Sequence, residues 1–208
     1  LFPSAAFAWN IAQEEFLKDV RAVSSLKLRL GAGQTGQQEI FQNYPYLARY
    51  SMSTDVYKQY NMGSAGYMFY LTPAAYDPDI KWETTTMLDV GVDVTLFSKL
   101  NITADWYRKN TDDILMKLDI PAGVGLNAPY QNAGKVRNTG WELSIGYNNR
   151  WRDFTFGVQA NVSDVKNEIV DMRGKTSTSG VLRNQEGYSI GSIYALESLG
   201  IIRTQEEA

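Results

Sequence analysis

Hydrophobic and polar residues alternate with a period of two along much of the chain. Residues 88–97 read Leu-Asp-Val-Gly-Val-Asp-Val-Thr-Leu-Phe, and beyond a tight turn near Ser98-Lys99 the pattern resumes over residues 100–107 as Leu-Asn-Ile-Thr-Ala-Asp-Trp-Tyr. Successive side chains of a strand point to opposite faces, so Leu88, Val90, Val92, Val94, Leu96, Leu100, Ile102, Ala104 and Trp106 share one face. Asp89, Asp93, Thr95, Asn101, Thr103 and Asp105 take the other. A second hairpin repeats the design. Trp141, Leu143, Ile145 and Tyr147 alternate with Glu142, Ser144, Gly146 and Asn148; after a turn near Asn149-Arg150, Phe154, Phe156, Val158, Ala160 and Val162 alternate with Thr155, Gln159, Asn161 and Ser163.

Two earlier segments alternate as well. Residues 2–10 place Ala5, Phe7 and Trp9 on one face, and residues 25–34 set Leu26, Leu28, Leu30 and Ala32 against Lys27, Arg29, Gly31 and Gly33, which predicts six strands in all. Between these segments, residues 11–20 carry Glu14 and Glu15 early and Phe16, Leu17 and Val20 as a small apolar face, predicting a short helix.

The predicted connections are unequal. Those near residues 98–99 and 149–150 are short, whereas 35–81, 119–133 and 171–188 are long, polar and rich in Gly, Pro, Asn or Ser. In an antiparallel meander the short turns gather at one end of the sheet and the long loops at the other. Outer-membrane barrels have that asymmetry, and so do sandwiches whose binding loops cluster. The fold class is therefore all-β, an antiparallel meander. Its apolar face meets lipid in a transmembrane barrel or a second sheet in a soluble sandwich, and periodicity leaves both open.

Composition narrows the chemistry. The 208 residues are 44% hydrophobic and 21% charged, as in an ordinary folded protein. No run approaches the ~18 apolar residues of a spanning helix, so any membrane crossing would use strands. A net charge of -3 without a Lys/Arg stripe argues against nucleic acid as a partner. The absence of Cys removes disulfides and thiolate metal sites, and the absence of His removes the commonest general base and metal ligand. No catalytic residue, metal or cofactor is expected. Residues 31–36, Gly-Ala-Gly-Gln-Thr-Gly, spell a dinucleotide-binding pattern, but the stretch before Pro45 is too short for the helix that reading needs. They read as a glycine-eased strand end. The adjacent carboxylates Asp112-Asp113 and Glu14-Glu15 would point oppositely in a strand and cannot form one acid/base pair.

Eight of the thirteen tyrosines, Tyr44, Tyr46, Tyr50, Tyr57, Tyr60, Tyr67, Tyr70 and Tyr76, fall in the longest connection. Tyrosine offers an amphipathic ring and a hydroxyl at low entropic cost, so these are candidate recognition contacts, suited to stacking on sugar rings or peptide side chains. The polar-face residues Asp89, Asp93, Asn101, Asp105, Tyr107, Gln159 and Asn161 form a second candidate set, suited to hydrogen-bonding within a barrel lumen. Trp82, Trp151, Tyr147 and Phe154 lie toward strand ends, where aromatic girdles sit.

Motifs in order along the chain carry a family resemblance. They are Phe2-Pro3-Ser4-Ala5-Ala6-Phe7-Ala8-Trp9 with Glu14-Glu15-Phe16-Leu17, residues 26–36, Asp77-Pro78 leading to Lys81-Trp82-Glu83-Thr84-Thr85, and Gly91-Val92-Asp93. Residues 105–115, Asn132 to Leu143 with its Asn138-Thr139-Gly140-Trp141-Glu142 core, and residues 187–194 complete the set. So arranged, the chain resembles the SusC/RagA-type TonB-dependent transporters. The resemblance implies part of a barrel of about 22 strands, plugged by a separate domain. It implies residence in the lipid bilayer of a Gram-negative outer membrane, import of oligosaccharides or peptides, a SusD-like surface lipoprotein as lid, and energy from the TonB complex acting through the plug. The polar-face set would then meet the lumen or plug, and the 35–81 connection would be an external loop.

The sequence reads as an excerpt, without plug, signal peptide or terminal strand. An alternative reading is a soluble or surface-attached β-sandwich for glycan binding or adhesion. A barrel lipase or protease is a third, disfavoured here by the lack of His.

Overall fold

A computed structural model describes residues 1–37, 44–52, 60–61, 67–68, 71–117, 120–121, 123, 125–126 and 128–197. Thirteen strands occur among them: β1 (Ser4–Asn10), β2 (Val23–Gln37), β3 (Arg49–Met52), β4 (Tyr60–Asn61), β5 (Tyr67–Met68), β6 (Leu71–Ala74), β7 (Glu83–Leu96), β8 (Leu100–Lys117), β9 (Tyr130–Trp151), β10 (Phe154–Asp171), β11 (Ser177–Ser179), β12 (Leu182–Asn184) and β13 (Ser192–Ile193). Six of them form one antiparallel sheet in the order β1-β2-β7-β8-β9-β10, and these are the six that the alternation predicts. At 14 to 22 residues, β2 and β7 to β10 are far longer than the usual five or six. No second sheet of comparable size faces this one among the described residues, so the sandwich alternative is not what forms.

Turn chemistry sets one end of the sheet. Phe97 and Ser98 both adopt positive φ between β7 and β8, and Lys99 N–H bonds back to Leu96 O at 3.0 Å. The β9–β10 turn falls at Arg152-Asp153, later than the expected Asn149-Arg150, because Trp151 still pairs with Phe154 and Arg152 supplies the positive φ of 54°. Asparagine at 149 looks like a turn former, but Asn149 instead lies opposite Phe156 in the ladder. The β1–β2 connection lies at this same end, where Ser98 N–H donates to Ser24 Oγ at 2.8 Å.

The helix expected over 11–20 does not form. A three-residue 3-10 turn, Ile11–Gln13, is followed by turns in which Leu17 and Lys18 N–H both bond Glu14 O. Ten residues are marginal for an isolated helix, and Phe16 and Val20 stay exposed with no surface to pack against.

The buried core sits at the opposite end. Ala133, Val136, Ile169 and Met172 are its buried hydrophobics, with Ile114 and Met116 packed against the Val136–Ile169–Met172 cluster. It forms because the segment following β10 turns back over the sheet. Gly187 N–H bonds Ile169 O and Ile169 N–H bonds Tyr188 O, both at 2.9 Å, while β11, β12 and β13 form a small sheet of their own. Within the segment Glu186 Oε1 accepts the N–H groups of Met172 and Gly174 at 2.7 and 2.8 Å.

Candidate functional site

Residues opposite each other in an antiparallel ladder share a face, so the registers trace rows across the whole sheet. One row runs Phe7, Leu30, Val90, Trp106, Trp141, Asp164, and the next toward the turns runs Trp9, Leu28, Val92, Ala104, Leu143, Val162. This face is almost wholly apolar, and most of it is uncovered.

The apolar band crosses the rows at a slant. Its upper limit lies in the row of Ala5, Ala32 and Leu88 on β1, β2 and β7, one row lower at Trp106 and Trp141 on β8 and β9, and lower again at Val162 on β10. Arg108, Thr139, Asp164 and Lys166 lie beyond it. The aromatic lower limit shifts the same way, from Trp9 on β1 to Trp151 and Phe154 on β9 and β10. At ~3.3 Å per residue and ~4.8 Å between strands, these offsets correspond to an apolar belt crossing the strands at roughly 30–45° from perpendicular along its upper limit and about 50° along its lower one. Strands of transmembrane barrels are tilted by about that much, and a level belt on tilted strands must slant in this way.

Trp151, Tyr147 and Phe154 stand at the turn end of the apolar face and are partly or largely exposed. Trp9 joins that rim, donating its indole N–H to Glu14 Oε1 at 2.8 Å. Trp82 does not: it precedes β7 well beyond Leu88 and stacks on Phe2 at 6.0 Å.

The other face carries the polar candidates. Arg29 on β2 donates Nε and Nη2 to both oxygens of Asp93 at 2.8 and 3.1 Å, and Nη2 also reaches Asp105 Oδ1 at 2.9 Å. Asp105 is two strands away, and the guanidinium lies across Gly91 to get there; a Cβ on Gly91 would fall on the Asp105 carboxylate and the Arg29 head. Asp89 lies over Gly31 and Tyr107 over Gly140 in the same manner. Thr103 Oγ1 donates to Asp93 at 3.2 Å, and Asn101 accepts from Thr95 Oγ1 at 3.0 Å. Gln159 makes a long contact of 3.4 Å to Ser144 Oγ, and Asn161 lies opposite Ser144. A cleft of about 660 Å³ opens on this face, bordered by Ala6, Ala8, Lys27, Gly31, Asp89 and Lys109. Long side chains folded down over glycines make this a low-relief wall.

Of the tyrosine set, Tyr44, Tyr46, Tyr50 and Tyr76 are exposed, and the structure brings Tyr44 and Tyr46 together at 6.3 Å, edge to face. Tyr50 lies on β3, opposite Pro73 of β6. Tyr60 and Tyr67 sit on the paired strands β4 and β5. Tyr57 and Tyr70 lie outside the described residues. Sequence reasoning missed Arg29, Gly91 and Asn167; only the register that sets Gly91 between Arg29 and Asp105 could have marked the first two.

Tall amphipathic strands in a slanted meander, short turns at one end and long connections at the other, define the wall of a transmembrane β-barrel. The particular wall is identified by comparison. Residues 1–189 match the model of the TonB dependent receptor-like β-barrel family, and the chain belongs to that family. It is 34% identical to the TonB-dependent receptor SusC of Bacteroides thetaiotaomicron over 95% of its length, and 35% identical to the TonB-dependent receptor P3 of Formosa agariphila over 96%. In each case it spans 21% of the relative, about a fifth of these proteins' length. The RagAB peptide importer in its 'closed-closed' state superposes with a TM-score of 0.75 at 25% identity, over 90% of this chain and 20% of that one.

Proposed function

We propose that this chain is part of the wall of an outer-membrane importer of large nutrients, oligosaccharides before peptides, with the apolar face on lipid and the polar face on the lumen. Barrels of this family are outer-membrane proteins of Gram-negative bacteria, and the named relatives are receptors and importers, not enzymes. The observation that carries the reading is the slanted apolar belt, which a soluble protein has no reason to build on a face with nothing packed against it. β1 and β10 are the two edges of the six-stranded sheet. Unsatisfied backbone groups in hydrocarbon cost several kcal/mol each, so further strands of a complete barrel would have to cover both edges.

In this reading the long connections face the outside. The exposed tyrosines of the 35–81 connection then meet substrate or a SusD-like lipoprotein lid. Asp89, Asp93, Asn101, Asp105, Tyr107, Gln159 and Asn161 line the lumen, where the low-relief wall leaves room for a plug through which the TonB complex would act. Rings that stack on sugar faces support oligosaccharides as cargo. The test is uptake of a labelled oligosaccharide by cells producing the full-length protein, with and without residues 44–76. Deletion should leave a folded barrel in the outer membrane but impair uptake or lid binding. Unchanged uptake and lid binding would overturn the role of the loop, and uptake of peptides but not of oligosaccharides would overturn the cargo.

A further inference from the structure

The segment after β10 does not project away from the sheet. Val136 and Ile169 are paired in the ladder and lie on the face of Asn138, Asn167 and Arg29, so Met172, packed on both, has folded over the polar face. Asn184 and Ile190 close over the same apolar pocket, beside Ile114 and Met116. Asn167 is the fastener: its amide donates to Asn138 Oδ1 at 2.7 Å, its Oδ1 accepts Ile190 N–H at 2.8 Å, and its carbonyl accepts Ser189 Oγ at 2.8 Å. Residues 172–194 thus form a pre-built shelf over the polar face, at the end opposite the short turns.

The whole protein carries -3, yet residues 172–197 hold Arg173, Lys175 and Arg183 against Glu186 and Glu197. Glu186 is committed to backbone N–H groups, and Arg173 donates to Asn132 O at 2.8 Å. Arg183 differs. Its guanidinium lies 4.4 Å from the centroid of the Tyr194 ring, its Nε is enclosed without a hydrogen-bond partner, and no carboxylate pairs with it among the described residues. A guanidinium held against a ring is oriented, and with Nε enclosed its two Nη groups are the end left to meet a carboxylate fork. Tyr194 remains exposed and offers apolar surface for a ring, whereas Ile193, paired with Leu182, points to the other face of the small sheet.

We propose that Arg183 on Tyr194 is a recognition site for a sugar carboxylate, so that the shelf selects uronate-containing oligosaccharides entering the lumen. A uronic acid presents a carboxylate directly on a pyranose ring, the combination that a guanidinium next to an exposed aromatic ring accommodates. The inference rests on the import reading above, with its lumen-facing polar surface.

The experiment uses the full-length transporter, its Arg183→Gln and Arg183→Lys variants, and three probes of matched length: a galacturonate oligosaccharide, a neutral glucose oligosaccharide and an aspartate-rich peptide. Outer-membrane abundance and heat-modifiable migration confirm that each variant is folded. For Arg183→Gln the ratio of acidic to neutral oligosaccharide affinity should fall about ten-fold, the size of one charge-assisted contact, while Arg183→Lys should retain part of it. Added salt should weaken acidic binding to the wild type more than to Arg183→Gln. An unchanged ratio would overturn the site while leaving the import reading intact. Wild-type protein that binds neither oligosaccharide would overturn the site together with oligosaccharides as the cargo, and Arg183-dependent binding of the peptide alone would overturn the sugar assignment.

Discussion

Arg29 on β2 and Asp105 on β8 are joined by a 2.9 Å hydrogen bond that passes over the intervening strand β7, because the residue between them in register is Gly91. The same guanidinium grips Asp93, so one cation ties three strands on the polar face. At Gly146 on β9, by contrast, an added methyl meets open space.

Gly91→Ala should therefore destabilise the folded barrel by about 0.5–1.5 kcal/mol, since the methyl group displaces the flexible Arg29 head and the Asp105 carboxylate and breaks their hydrogen bond. Gly146→Ala is the matched control and should be far milder. Denaturant unfolding of the reconstituted protein reads both. In an Arg29→Ala background the Gly91→Ala effect should shrink by ~0.5 kcal/mol or more, and strict additivity of the two changes would refute the coupling.

The slant of the apolar belt makes a sharper prediction. Val92 and Val162 lie in one row of the sheet, but Val92 is midway along the apolar run of β7 while Val162 is at the limit of the run on β10. Arginine should cost ~2–4 kcal/mol at Val92 and ~0–1 at Val162, with Val158→Arg returning to the higher value. Equal costs at Val92 and Val162, measured by unfolding from lipid vesicles, would remove the tilted-strand geometry.

On the opposite face, Asn161→Ala should change stability by no more than ~0.5 kcal/mol in the same assay. Asp93→Asn should not be equally neutral, because Asp93 holds Arg29 through two hydrogen bonds and accepts a third from Thr103. A silent Asp93→Asn would show that the network contributes nothing measurable.

Asn167→Ala removes the acceptor for Ile190 N–H and the partner of Asn138. Amide exchange over residues 187–193 should rise about ten-fold or more, while protection in β8 and β9 stays as it was, because local opening draws on the least packed unit first. Uniformly faster exchange across the sheet would mean that the shelf and the wall open as one.

The period-two alternation marks each of the six strands of the main sheet and assigns their side chains to faces wherever the ladder is unbroken, because a strand leaves its residues only two directions to point; the β8 bulge at Asp113 reverses the parity and puts Ile114 and Met116 on the polar face. From 88–97 and 100–107 alone, Val92 and Asp93 are already on opposite sides. The ordered motifs from Phe2 to Tyr194 also carry the family. Five features lay outside that local information. The helix expected at 11–20 fails because Phe16 and Val20 find no surface to pack on, and the turn expected at Asn149 moves to Arg152 because the ladder continues past it. The Arg29–Gly91–Asp105 bridge and the belt slant depend on the relative register of different strands, which is set by turn geometry and pairing, and the bridge joins residues 76 apart in the chain. The shelf over the polar face depends on Asn167 and Ile169 meeting residues 187–190, a contact made by the return of the chain and not by any repeat within it. Sequence alone determined the strands and their two faces; only the tertiary structure decided what lies across each face, because neighbours in a sheet are chosen by register.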